Sequence, residues 1–247
     1  MIEAVATVPH PPLLVDALAG SAAGETAALR TACRRAAADL AAVATRWVAV
    51  GSDPCTGVWG PRTRGSFRAF GVDQVVSLGP DADLAPDPDL PLPLLVAGWL
   101  RDGVDDPAVT VDGVVLDPDA TPAACLRRGA EIAAGTGDGE AGGEPTGLLV
   151  LGDGAATHTP RAPGAFDPRA GSYDDAVGDA LATADTDALA ALEPGLADEL
   201  WVGGRVAWQL LAGAAGGSGA GRWEAEPRHR SAPFGVAYHV AFWRRLR

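Results

Sequence analysis

Short apolar runs, each closed by Gly or Pro, alternate along this chain with stretches of helical repeat, and that order constrains the fold more than any other feature. Residues 2–8 read as a strand ended by Pro9, Pro11 and Pro12, since proline cannot continue a central ladder. Residues 25–46 read as a helix, because Leu29, Cys33, Ala36, Leu40, Val43 and Trp47 recur at alternating steps of four and three and form one apolar stripe. Residues 47–50 form a buried strand closed by Gly51-Ser52-Asp53-Pro54, and residues 73–78 form another. The cleanest strand is 148–151, which runs into Gly152-Asp153-Gly154.

Helices are expected over 94–100 and from Thr121-Pro122 to about residue 134, with Thr as cap and Pro in the first turn. Another follows Ser172 as cap, with Asp174 and Asp175 in a first turn where the helix dipole favours acids. Two more cover 186–192 and 195–214, and residues 80–93 and 135–147 read as loops, 216–221 as a turn. The closing strand is 235–242, with Val236, Tyr238, Val240 and Phe242 on one face and His239 on the other. Strands alternating with helices predict an α/β protein, a largely parallel sheet covered by helices on both faces, in one domain over residues 1–247. In such folds function collects at loops leaving the C-terminal ends of strands, here 9–12, 51–56 and 152–158.

Charge narrows the partners. Acidic residues outnumber basic ones 32 to 19, for a net charge of −13, and no basic run exceeds two residues before Arg244-Arg245-Leu246-Arg247. Nucleic acid and anionic membrane are not expected partners. Every basic residue is Arg, which excludes Schiff-base chemistry on Lys. Cys33, Cys55 and Cys125 form no CxxC pair, so neither a disulfide scaffold nor a Cys-based zinc site is expected, and a reducing cytoplasm fits. No basic segment precedes the first apolar run, as a signal peptide would require, and no run reaches the roughly 18–20 apolar residues of a membrane span.

The chemistry-bearing residues sit in the strand-end loops. Gly152-Asp153-Gly154-Ala155-Ala156-Thr157 imitates a dinucleotide fingerprint but lacks its third glycine, and Pro160 and Pro163 prevent the helix that would receive the pyrophosphate. No P-loop, nucleophile elbow or HExxH is present. Prolines on both sides of His10 stiffen the backbone and fix the imidazole, as a metal ligand or general base requires. The plainer alternative is a histidine hydrogen-bonded in a turn. Asp53 would supply a carboxylate beside His10, although on residue type alone an Asx turn before Pro54 is the favoured reading. Asp153 and His158 follow the best strand, where His158 would act as acid or base. His229, between Arg228 and Arg230, reads as solvated.

Taken in order, Pro9-His10-Pro11-Pro12-Leu13-Leu14, the loop at Asp53, the Gly152-Asp153 loop and Ala232-Pro233-Phe234-Gly235-Val236-Ala237-Tyr238-His239-Val240 resemble the class III extradiol ring-cleavage dioxygenases, in their catalytic B-type subunit, and the related Memo proteins. The resemblance implies an α/β fold and a non-haem Fe(II) site, or one for another divalent metal. Two His and one Glu would hold the metal, with open positions for a small aromatic substrate and O2, and a further His would move protons. It also implies self-association. By that likeness His10 matches the first ligand. No His stands near Asp53, Ala156 occupies the proton-moving position with His158 two residues on, and Gly204-Arg205 stand where the ligand Glu is expected, with Asp198 and Glu199 the nearest acids. The implied metal set is therefore His10, Asp53 and Glu199, with His158 and Asp153 as catalytic groups. Three activities follow: ring opening at a variant metal site, ligand or partner binding in the same pocket without catalysis, and metal-assisted hydrolysis.

Overall fold

The computed structural model describes residues 1–135, 144–217 and 221–246. In chain order the elements are β1 (Ile2–Val8), α1 (Asp16–Ala19), α2 (Ala27–Val43), β2 (Arg46–Ser52), β3 (Gly57–Trp59), β4 (Arg64–Ser66), β5 (Val75–Ser77), α3 (Leu92–Asp102), β6 (Thr110–Leu116), α4 (Pro122–Gly135) and β7 (Thr146–Leu151). There follow α5 (Ala170–Thr183), α6 (Thr186–Ala190), α7 (Pro194–Glu199), α8 (Arg205–Ala215), β8 (Arg222–Ser231) and β9 (Tyr238–Leu246).

Seven strands form one sheet in the order β3-β6-β2-β7-β1-β9-β8. The middle four, β6, β2, β7 and β1, are parallel, and the outer strands β3, β9 and β8 run antiparallel to their neighbours. The protein is thus a single-domain α/β fold with a mostly parallel, mixed sheet between helical layers. Because side chains alternate across a strand, the sheet feeds two cores. Ala4, Ala6 and Val8 of β1 and Leu149 and Leu151 of β7 pack with α2 and α3. Val5, Leu148 and Val150 pack with α4, α5 and α8 on the other face.

Several local expectations are refined. Residues 73–78 contribute only β5, which pairs with β4 in a separate two-stranded sheet. β6 and β8 carry no clear apolar signal. Asp112 and Gly113 interrupt β6, while β8 is an edge strand rich in charge and broken by Pro227, the composition that keeps an edge from pairing with other chains. The segment 195–214 is two helices broken at Gly203-Gly204. Ser172 lies inside α5, its hydroxyl donating to the Arg169 carbonyl at 3.0 Å, rather than capping it. The loop over 135–147 and the turn over 216–221 fall in large part outside the described residues, as does Arg247. Among the described residues no helix is long and apolar enough to cross a membrane.

Candidate functional site

β1 and β2 follow each other in the chain but are separated in the sheet by β7, so the loops leaving all three parallel strands meet at one end. Two polar clusters are built there. The first surrounds His10. Its backbone N–H donates to Asp153 Oδ1 at 2.8 Å, which joins the loop after β1 to the loop after β7. The His10 ring is nearly buried. Its Nδ1 is sealed from solvent and lies 3.7 Å from Asp153 Oδ1, too far for a hydrogen bond, and no partner is found for either ring nitrogen among the described residues. Trp208 Nε1, wholly buried beside Gly152, is likewise without an acceptor.

His10 lines a cavity of about 200 Å³ that is also lined by Ser52, Asp53, Asp198, Gly203 and Arg205. Gly152 lets the loop after β7 approach the turn before α8 closely, since a Cβ there would stand 2.6 Å from Gly204 Cα. Asp53 shares the cavity with His10 but spends one carboxylate oxygen on the Cys55 N–H at 2.9 Å, the Asx turn that its place before Pro54 suggested. Glu199 is elsewhere. It is exposed, ion-paired with Arg169 at 2.7 Å, and absent from the cavity wall.

The second cluster centres on Asp174. This carboxylate is only 2% exposed, yet it accepts from His158 Nε2 at 2.6 Å, His239 Nε2 at 3.0 Å and the Ala155 N–H at 3.1 Å. Each ring meets the carboxylate through Nε2, which donates to it wherever the carboxylate is the acceptor. Gly154 allows the approach, because a Cβ at that position would sit 2.3 Å from Asp174 Oδ1. The His239 ring also stands edge-on to Trp208, with centroids 6.1 Å apart. His158 is one-fifth exposed while His239 is buried, so the cluster has one accessible imidazole oriented by a buried acid. Burial, followed by the nearby Asp174 charge, pushes the Tyr173 hydroxyl above its ordinary range, and burial with Asp153 does the same to Tyr238.

Reading the chain for dipole-favoured acids missed Asp174. The signal for it was present: Asp174 lies three residues before Val177 and seven before Leu181, on the apolar stripe of α5 itself. A carboxylate at such a position is rarely buried without partners. His239 was legible as facing away from the Tyr238–Val240–Phe242 side, and Asp174 is what it meets.

These groups do not make the two-histidine, one-carboxylate set that the resemblance implies. Among the described residues no three His, Cys, Asp or Glu side chains are grouped to hold a metal ion. His10 and Asp53 share a cavity, Glu199 lies outside it, and His158 is committed to Asp174.

No protein-family model and no curated protein matches the chain. Its fold is similar to the crystal structure of the uncharacterized protein JW3007 from Escherichia coli K12, with a TM-score of 0.54 and 14% sequence identity over 98% of this chain and 99% of that one. The likeness extends over nearly the whole of both chains and concerns the fold alone.

Proposed function

We propose that this chain binds a small polar molecule in the cavity beside His10, on a scaffold resembling the extradiol dioxygenases, without the iron-dependent ring opening of that family. One observation carries this reading: His10, whose ring makes no hydrogen bond among the described residues, lines a cavity whose other polar side chains are Ser52, Asp53, Asp198 and Arg205. A histidine that merely completed a turn would spend a ring nitrogen on the turn, whereas in the His10 loop the backbone N–H makes the bond to Asp153. Asp174 and His158 form a separate cluster that does not line this cavity.

The test separates binding from ring opening. Protein purified anaerobically and supplied with Fe(II) is assayed for bound metal and for O2 uptake with catechol, beside a His10→Ala variant. The expected result is no metal that depends on His10 and no uptake. Stoichiometric iron and catechol-dependent O2 consumption, both lost in His10→Ala, overturn the reading in favour of a variant dioxygenase centre of His10, Asp53 and Glu199.

A further inference from the structure

The cavity beside His10 holds charges of both signs that the protein itself leaves unpaired. Arg205 is 3% exposed, and no carboxylate lies within 4.0 Å of it among the described residues, although a buried charge is ordinarily paired. Its guanidinium is held rigidly instead. It donates to the Pro118 carbonyl at 2.6 Å, the Ala120 carbonyl at 2.9 Å and Gln209 Oε1 at 3.0 Å, and Gln209 is fully buried and anchored to the carbonyls of Ala190 and Leu192. A guanidinium has five N–H donors, so these three bonds leave donors unspent on a side chain that lines the cavity.

Arg205 is also the first residue of α8, an eleven-residue helix whose cap, Gly204, offers no side chain to the free N–H groups. Gly203, Arg205 and Val206 bring that uncapped, partially positive end to the cavity wall. His10, whose ring makes no hydrogen bond among the described residues, lines the same cavity. Asp53 and Asp198 complete it, and neither is ion-paired among the described residues. A simple anion would meet two carboxylates here. A simple cation would meet a guanidinium and a helix N-terminus. A molecule with both charges satisfies both ends.

We propose that the ligand of this cavity is a small zwitterion, an aminocarboxylate whose carboxylate is taken by Arg205 and the start of α8 and whose ammonium is taken by Asp53 and Asp198. The proposal rests on the reading of the His10 cavity as a ligand site and specifies its chemistry. The volume suits such a molecule: an apolar cavity of roughly 150 Å³ accommodates benzene, and this one is about 200 Å³.

With only four histidines in the chain, His10 can be followed by imidazole ¹⁵N–¹H NMR, its signal assigned through a His10→Gln variant. The full chain is titrated with glycine, β-alanine and γ-aminobutyrate, and separately with acetate, methylammonium and catechol. At least one aminocarboxylate is expected to shift His10 at about tenfold lower concentration than acetate or methylammonium, as expected when a second charge-assisted contact is added. In Asp53→Asn/Asp198→Asn, which changes two solvent-accessible carboxylates, that advantage over acetate should vanish. Arg205→Gln should abolish the acetate response, and where that buried substitution prevents folding the double variant carries the test alone. If acetate, methylammonium or catechol binds at least as tightly as every aminocarboxylate, the zwitterion assignment is overturned while the cavity remains a ligand site. An aminocarboxylate advantage that persists in the double variant also overturns it. If none of the six probes moves His10, both the assignment and the binding reading fall.

Discussion

The position of α8, and with it of Arg205, is set by a contact that tolerates no side chain. Gly213 of α8 faces α4 so closely that a Cβ there would stand 2.1 Å from the Leu126 carbonyl oxygen, and a Cβ on Gly129 of α4 would stand 2.0 Å from the Leu210 carbonyl oxygen. Ordinary contact begins near 3.4 Å, so Gly213→Ala must drive the two backbones apart by more than an ångström. Opening a packed interface by up to an ångström already forfeits about a quarter to a half of each dispersion contact across it. Overpacking of this kind costs about 3 kcal/mol, the upper part of its usual range, because the blocking atoms are backbone and cannot rotate away. Replacing Gly by Ala inside a helix returns about 1 kcal/mol of propensity, leaving a net loss of about 2 kcal/mol. Gly171, near the start of α5, is the control: a Cβ there meets nothing within 4 Å, so Gly171→Ala should stabilise by a few tenths to about 1 kcal/mol. Urea unfolding followed by tryptophan fluorescence and circular dichroism measures both, with the midpoint moving in opposite directions at unchanged slope. A Gly213→Ala protein as stable as the parent would refute the argument that backbone contact fixes α8.

Three further expectations concern groups near the strand ends. Asp174→Asn should cost about 1–3 kcal/mol, because a buried acceptor of three hydrogen bonds becomes partly a donor; the downfield Nε2–H resonances of His158 and His239, present in the parent, should be lost, and their survival would count against the cluster. Hydrogen bonds from the Arg169 side chain and backbone hold the Asp167 carboxyl down at about 2. Its folded-state value lies below the unfolded one, so the stability it contributes is present above the ordinary value of 3.8 and is lost as pH falls from there through about 2. Carboxyl ¹³C titration should place the midpoint there, and Arg169→Ala should return it toward 3.8. Of the three thiols only Cys55 is exposed, and burial pushes those of Cys33 and Cys125 upward. A thiol reagent should therefore label one cysteine quickly in the native protein and all three after unfolding, whereas rapid native labelling of Cys33 would contradict the packing of α2.

The α/β architecture, the first strand, the helix over α2 and the strand at β7 follow from local pattern, because a fully buried strand and an amphipathic helix write their periods into the chain. The same pattern places His10 and Asp53 after two successive strands, and the structure brings them to one cavity although β7 lies between those strands. β6 and β8 are invisible to it. β6 owes its place between β2 and β3 to partners distant in sequence, and β8 is an edge whose charges resist the very pairing that identifies a strand. Asp174 shows the same division in one residue. Its chain position identifies an acid early in a helix, and only the packing of α5 against β9 and the loop after β7 turns it into the buried acceptor for two histidines. Periodicity is a property of near neighbours along the chain, and it determined the layers of this protein. The charges left unpaired beside His10 come from residues as far apart as 53, 198 and 205, and no local pattern encodes a distance between them; their meeting was decided by the order in which the strands were laid side by side.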